Sequence, residues 1–362
     1  MWKSILISLV FVILLSGCAF KDIDKRLFVL GFGIDKSEND KEPYLISLRV
    51  SMPSSKGAGR AEEKYVVLQE TGESISDAIQ KIKNQVDKEL DYGHTKIILL
   101  GSDIVPGRAG YISSWFSRQH DIQQITFVAV ADGKAKDVFQ TKPKTETQPS
   151  YELVIAFERT GTEDPHIITK YLFEYRREYY DDGVDPVLPV VKVKEKQYLV
   201  ETAAIVDNEG NLLKLSREET QLVNVINSPK NQMYIKVKSK ENFLSVRTDK
   251  NNIKITLQTD KEPLVIKMEM DIGGVVEESF EKISEDERKI AEEMLEEKLK
   301  EQVEDLLKKV QEEKVDPFGF GIRYRSMQWN DSNSAKRWED IYPRVQFEVK
   351  TNVNIRSIGT LK

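Results

Sequence analysis

The chain has 362 residues, 40% of them hydrophobic and 31% charged, with 60 acidic side chains against 54 basic ones and a formal net charge of −6. These proportions fit a globular protein of two or three domains and exclude a disordered or membrane-embedded one. The acidic balance argues against sequence-independent nucleic-acid binding and against polybasic attachment to anionic lipid, since both need cations.

The first element reads as a leader, residues 1–17. Met1 to Lys3 is a short positive start, Ser4 to Leu15 is almost wholly apolar, and Ser16 and Gly17 are small, which is the layout of a secretory signal. As a helix, a dozen residues span ~18 Å, short of the ~30 Å hydrocarbon core, so the run is a poor permanent transmembrane segment. The only cysteine, Cys18, follows directly. One cysteine makes neither an intrachain disulfide nor a Cys-based zinc site. Leu15-Ser16-Gly17-Cys18 resembles a bacterial lipobox, and that resemblance implies cleavage before Cys18 and lipid attachment at Cys18. A single acyl chain holds a protein weakly and two or three hold it firmly, so the mature chain is expected to be tethered to a membrane surface by its first residue.

Leu27 to Ile34 (LFVLGFGI), Tyr44 to Val50 and a run opening at Tyr65 to Leu68 predict strands, with a polar loop over 53–60. Ser74 and Asp77 predict the start of a helix carrying Ala78, Ile79, Ile82, Val86 and Leu90, with Gly93 as its stop. His94 to Gly101 follows as a strand, so a βαβ crossover is expected. Tyr111 to Arg118 reads as a helix, Ile125 to Val130 as a strand and Lys134 to Phe139 as a helical turn. After a polar linker at 141–149 come two helices, Ser150 to Thr160 and Ile167 to Glu178, and a strand from Val187 to Val193. This closes a first α+β domain, 18–197.

A middle, β-rich domain is expected over 198–275. Strands at Glu201 to Val206 and Leu212 to Leu215 flank a turn at Asp207 to Asn211, Ser216 and Glu219 form a capping box, and alternating residues predict antiparallel strands with one wet face. The third domain, 276–362, opens with a capping box at Ser284 and Glu287 and a helix to Lys314, ended by Pro317. It closes with a strand alternating from Val345 to Ile355. The fold class is thus α+β, with three domains, each a mixed or antiparallel sheet with packed helices.

Chemistry-bearing patterns are sparse. His94, His120 and His166 fall in different elements without ligand neighbours at helical spacing, and no nucleophile elbow or phosphate-binding loop is present. Gly31 and Gly33 read as close packing in a strand, not as a dinucleotide fingerprint, because position 36 is Lys. The acid pairs Glu292-Glu293 and Glu296-Glu297 mix with lysines and read as a solvated helix face. Aromatics cluster at Tyr171 to Tyr180 and at Phe318 to Trp338, as core or as protein interface. No catalytic residue, cofactor or metal is expected, and the chain is not expected to be an enzyme.

Five segments together resemble the Ger(x)C family of spore-germination lipoproteins, the C subunits of nutrient germinant receptors. They are Phe28 to Asp35 (FVLGFGID) behind the lipobox, His94 to Gly101 (HTKIILLG), Val128 to Asp137 (VAVADGKAKD), Asp316 to Gly321 (DPFGFG) and Trp338 to Pro343 (WEDIYP). They run through the whole mature chain in the family's order. One departure is Ala19-Phe20 after Cys18, where the family usually has Trp-Asp. The resemblance implies three α+β domains, no catalysis, no small-molecule substrate, and work beside integral-membrane A and B subunits. It places the protein in the spore inner membrane, lipid-anchored on the outer leaflet. The competing reading is a nutrient-binding (solute-binding) lipoprotein, which calls for two similar α/β lobes and a hinge; an anchored hydrolase would need a cleft with perturbed carboxylates.

Overall fold

The computed structural model describes Trp2 and residues 25–52, 64–143, 149–158, 164–239, 242–279 and 284–357. The leader, Cys18, the 53–60 loop and the middle of the 141–149 linker lie outside the described residues. In chain order the elements are β1 (Arg26–Lys36), β2 (Tyr44–Met52), β3 (Lys64–Gly72), α1 (Ile75–Lys83), β4 (Glu89–Asp91), β5 (Ile97–Gly101), α2 (Ala109–Ser117), β6 (Phe127–Ala131), α3 (Ala135–Gln140), α4 (Pro149–Glu158), α5 (Leu172–Tyr180), β7 (Val187–Lys194), β8 (Gln197–Val206), β9 (Leu212–Lys214), α6 (Arg217–Asn227), β10 (Tyr234–Ser239), β11 (Asn242–Gln258), β12 (Val265–Ser279), α7 (Glu285–Glu312), α8 (Phe320–Met327), α9 (Ser334–Ile341) and β13 (Gln346–Ser357).

The protein is α+β, and among the described residues its strands form two sheets. The first runs β3-β2-β1-β5-β6-β7-β8-β9, with β4 paired to the start of β1. Its middle strands β1, β5, β6 and β7 are parallel, and β5 and β6 are buried at every position, as a parallel sheet covered on both faces requires. Helices α1, α2 and α5 cover the face carrying Phe32, Ile98 and Val128. Helices α3 and α4 cover the face carrying Ile97, Leu99 and Ala129. Strands β3 and β5 are joined through α1, the expected crossover, and span two intervening strands.

Two of the resembling segments meet inside this sheet. A Cβ on Gly31 or Gly33 would lie 2.7 or 3.0 Å from the Phe139 ring, so the glycines let α3 sit directly on β1. Asp35, at the end of the same segment, accepts from the backbone N–H of Ala135 (2.6 Å) and Lys136 (2.9 Å) at the start of α3. The third segment, His94 to Gly101, supplies the strand between them.

The second sheet runs β10-β11-β12-β13. The first three strands are antiparallel, while β13 joins β12 in parallel. Helix α7, ~42 Å long, lays Leu295, Leu299, Val303, Leu306, Leu307 and Val310 on the core shared with Met268, Val349, Val353 and Ile355. All three Ser-initiated helix starts have the expected cap: Ser74, Ser216 and Ser284 each accept from the N–H three residues on.

Four expectations differ from the structure. Helix α1 stops at Lys83, because Asn84 caps it and Leu90 is needed in β4 beside Leu27. Helix α5 starts at Leu172 rather than Ile167. The strands expected at Glu201 to Val206 and Leu212 to Leu215 do not open a separate sheet: β7 and β8 form a hairpin whose two turn residues, Glu195 and Lys196, both have positive φ (52° and 63°), the geometry of a tight hairpin turn. Strands β8 and β9 thereby complete the first sheet, and the step at 275/276 falls within β12. Finally, only one acid of each pair on the long helix stays in solvent, Glu293 and Glu297. Glu292 accepts from Ile355 N (2.7 Å) and Glu296 from Val353 N (2.9 Å), on the outer edge of β13.

That edge contact has a measurable consequence. Hydrogen bonds to a charged acceptor contribute roughly 1.5–3 kcal/mol each, and an uncovered edge strand recruits other strands. The double variant E292A/E296A is expected to lose about 2–4 kcal/mol of stability in urea unfolding and to self-associate by light scattering; an unchanged midpoint would remove the edge-covering role.

Candidate functional site: the junction between the sheets

The two sheets share one buried cluster, with Leu222, Val223 and Ile226 of α6 between Ala203 and Ile205 of β8 and the second sheet, and they also meet through two short segments. One, Asp181 to Pro186 (DDGVDP), leads from α5 into β7; the other, Lys314 to Gly319, leads from α7 into α8. Both carry backbone shapes that ordinary residues resist: Gly183 has φ 97°, Lys314 56° and Gly319 66°. The segments exchange hydrogen bonds like paired strands. Asp185 N donates to Asp316 O (2.9 Å), and Asp316 N donates to the Asp185 Oδ2 (2.6 Å). Ile322 N donates to Gly183 O (3.1 Å).

Gly183 and Gly321 bring the two backbones into direct contact. A Cβ on Gly321 would lie 2.5 Å from Gly183 Cα and 2.5 Å from the Trp338 Nε1. Trp338 closes that side and packs between Tyr324 and Tyr342, with ring centroids 5.4 and 5.1 Å away. The Tyr342 hydroxyl donates to Val315 O (2.8 Å). Arg325 pairs with Asp181 at 2.8 Å from the solvent side. The remaining two resembling segments, Asp316 to Gly321 and Trp338 to Pro343, therefore converge here and account for each other.

Asp316 is buried, and its carboxylate accepts from Phe318 N (3.2 Å) and Gly321 N (2.8 Å), capping α8. Burial pushes its carboxyl up to about 7, opposed by the backbone donors of Gly321 and Phe320 and reinforced by the charge of Asp185. Burial likewise pushes Asp185 up to about 6. A cavity of about 460 Å³ borders the junction, lined by Asp181, Asp185 and Asp207 on one side and Glu313, Asp316 and Glu339 on the other. A groove of about 670 Å³ on the first sheet's side holds the Lys170–Glu178 ion pair (2.7 Å) against Phe318 and Arg323.

These carboxylates are committed to backbone donors, and neither is hydrogen-bonded to a side-chain nucleophile. Among the described residues no group of three or more His, Cys, Asp or Glu is placed to hold a metal ion. The hydrogen bonds across the junction hold its two segments in register. The residues singled out in the sequence are scattered. His94 meets Phe28 edge-on at 4.6 Å, and His166 Nδ1 lies 2.7 Å from Asp164. Tyr175, Phe318, Phe320, Tyr324 and Trp338 are core, whereas Phe173, Tyr180 and Trp329 are exposed. The reading of the sequence passed over Gly183 and Asp185; an Asp-Gly step close before an Asp-Pro step was their only local sign, and it reads as an ordinary turn.

Two tests follow from this geometry. Gly321→Ala is expected to cost about 1–3 kcal/mol as overpacking against backbone, read as a lowered unfolding midpoint, and a neutral result would mean the contact is slack. The second concerns pH. A carboxyl whose folded value stands above its ordinary 3.8 favours the fold when protonated, so that contribution is full below pH 4 and is lost as pH rises through about 7. The stability gap between the native chain and Asp316→Asn should therefore shrink between pH 5 and pH 8, by on the order of 2 kcal/mol; a gap constant with pH would contradict the buried-carboxyl account.

Comparison with known proteins places this architecture. The family model described as "Spore germination protein N-terminal domain" matches residues 20–193, and the one described as "Spore germination B3/ GerAC like, C-terminal" matches residues 201–359. The chain is 21% identical to YfkR of Bacillus subtilis (strain 168), a protein assigned to spore germination, over 96% of this chain and 94% of that one. The crystal structure of the GerBC protein superposes with a TM-score of 0.60 at 19% identity, covering 92% of this chain and all of that chain, which shows a shared fold. With both models matching in order along nearly its whole length, the chain belongs to the GerAC family of spore germination proteins.

Proposed function

We propose that the chain is the lipid-anchored C subunit of a spore nutrient germinant receptor, and that it works by assembling with integral-membrane A and B subunits rather than by catalysis. The observation that carries this reading is the placement of Leu15-Ser16-Gly17-Cys18 immediately before a body matched by the family models from residue 20 to residue 359. Cys18 holds the lipid, on the outer leaflet of the spore inner membrane. The folded body docks on the integral subunits, stabilising their assembly or passing on a change of position through the rigid junction. The second reading, a nutrient-binding lipoprotein, draws no support from the architecture: among the described residues, a mixed sheet of nine strands and one of four are not two similar lobes.

The test is Cys18→Ala in spores of the source organism, with membrane association followed by fractionation. Loss of optical density after adding nutrients is expected to slow strongly, while germination by a non-nutrient trigger is unchanged. A normal nutrient response from a variant that has left the membrane would refute the anchored-subunit reading.

A further inference from the structure

Because β1, β5 and β6 are parallel and adjacent, with Gly31, Ile97 and Phe127 level, they start toward one end of the first sheet, and β1 reaches five residues further, to Arg26. Short contacts tie that end together. Lys96 N donates to Leu30 O (2.9 Å), Phe127 N to Lys96 O (2.9 Å), and Phe173 N to Gln124 O (3.1 Å). The Thr126 hydroxyl donates to Thr95 O (3.0 Å), and the Thr95 hydroxyl to Val29 O (3.1 Å). The Gln123 amide reaches Gly93 O (3.1 Å).

On this rigid end two large apolar side chains stand in solvent: Ile125, 60% exposed, and Phe173, 42% exposed. Phe173 stacks on Tyr171, which stacks on Phe127, so the aromatic is braced by the core beneath it. His94 stands beside them, packed on Phe28. Neither Ile125 nor Phe173 is needed by the buried clusters of the sheet.

The chain enters the fold at this same end, at Lys25 and Arg26. From Cys18 to Lys25 there are seven residue steps, at most about 24 Å even when fully extended. That is little more than half the ~42 Å length of α7. A lipid on Cys18 therefore holds the chain entry at Lys25 within about 24 Å of the bilayer surface, and Ile125 and Phe173 stand toward that same end of the sheet. Exposed aliphatic and aromatic side chains on a tethered surface bury themselves at the boundary between headgroups and acyl chains. Nearby exposed charges are of both signs, Lys96 and Arg177 with Asp121, so this surface orients the body while the lipid retains it.

We propose that the end of the first sheet bearing Ile125 and Phe173 lies in the headgroup layer of a phospholipid membrane and sets the orientation of the whole body above it. The proposal rests on the lipid-anchor reading of Cys18. The test uses the full lipidated chain on vesicles of phosphatidylglycerol and phosphatidylethanolamine. Lipidation consumes the only native thiol, so Ile125→Cys and Trp329→Cys, each at an exposed position, introduce one site apiece for an environment-sensitive dye. A nitroxide on the lipid headgroup is expected to quench the dye at position 125 several-fold more than the dye at position 329, and the emission at 125 should shift to the blue.

If the chain floats with the vesicles and carries its lipid, but the dye at 125 is as open to aqueous iodide as in the unlipidated Cys18→Ser form, the proposal fails and the anchor stands. Equal or stronger headgroup quenching at 329 overturns it as well. If mass spectrometry finds Cys18 unmodified and the chain does not float, the anchor reading fails and the orientation falls with it.

Discussion

The constraint on which the rest of the molecule depends is the contact of two backbones at Gly183 and Gly321. Nothing larger than hydrogen fits between them, and that closeness lets Asp185 and Asp316 exchange hydrogen bonds across the gap. The exchange fixes where β7 starts relative to where α7 stops. From β7 the first sheet is laid out, and from α7 the second. A buried carboxylate such as Asp316 is costly to place, yet its oxygens are occupied by the N–H groups that open α8. The helix start supplies the donors, and the aspartate supplies the cap that the start would otherwise lack.

The same device occurs elsewhere in the molecule. Asp35 reaches from the end of β1 to the first N–H groups of α3, and the glycines before it clear the space for Phe139. Burial pushes its carboxyl up to about 6, as at the junction. Asp35 caps a helix from a distant strand, whereas Asp316 caps the helix of its own segment and Asp185 ties that segment to the start of β7. On the second sheet the helix itself supplies the acids, and Glu292 and Glu296 satisfy the outer N–H groups of β13. The carboxylates of Asp35, Asp185, Glu292 and Glu296 thus join, through backbone N–H groups, elements far apart in sequence.

Local order was legible in the sequence where one principle acted alone. The Ser-x-x-Glu starts of α6 and α7 are capping boxes in the structure, and the alternation of β13 places Val349, Val353 and Ile355 inside. The stripe of α7 is buried from Leu295 onward, although Ile290 at its start remains exposed. What escaped was non-local. The Glu195-Lys196 turn has no Gly, Asn or Asp to announce its positive φ values, so the hairpin that gives β8 to the first sheet has no signature. Glu292 and Glu296 look solvated like their exposed neighbours because their acceptor role depends on a strand more than fifty residues away. Each of the five resembling segments could be found singly, but that three of them meet in the first sheet and two at the junction follows only from the fold. The reading of Cys18 rests entirely on its neighbours in sequence, outside the described residues.

The β7–β8 hairpin also dictates an order of events as the chain is made. Strand β7 begins with five consecutive buried residues, Val187 to Val191, and its free edge is covered only by β8 and then β9. As a chain emerges from its N-terminus, that edge stays open until residue 206 has appeared. The second sheet waits longer still, since β12 is completed by β13 at the very end. Both sheets therefore close late, through contacts between residues far apart in sequence, which slows folding and prolongs the exposure of strand edges. A nascent chain of this kind depends on whatever shields β7 during that interval, and a chain shortened near residue 197 would carry the open edge permanently.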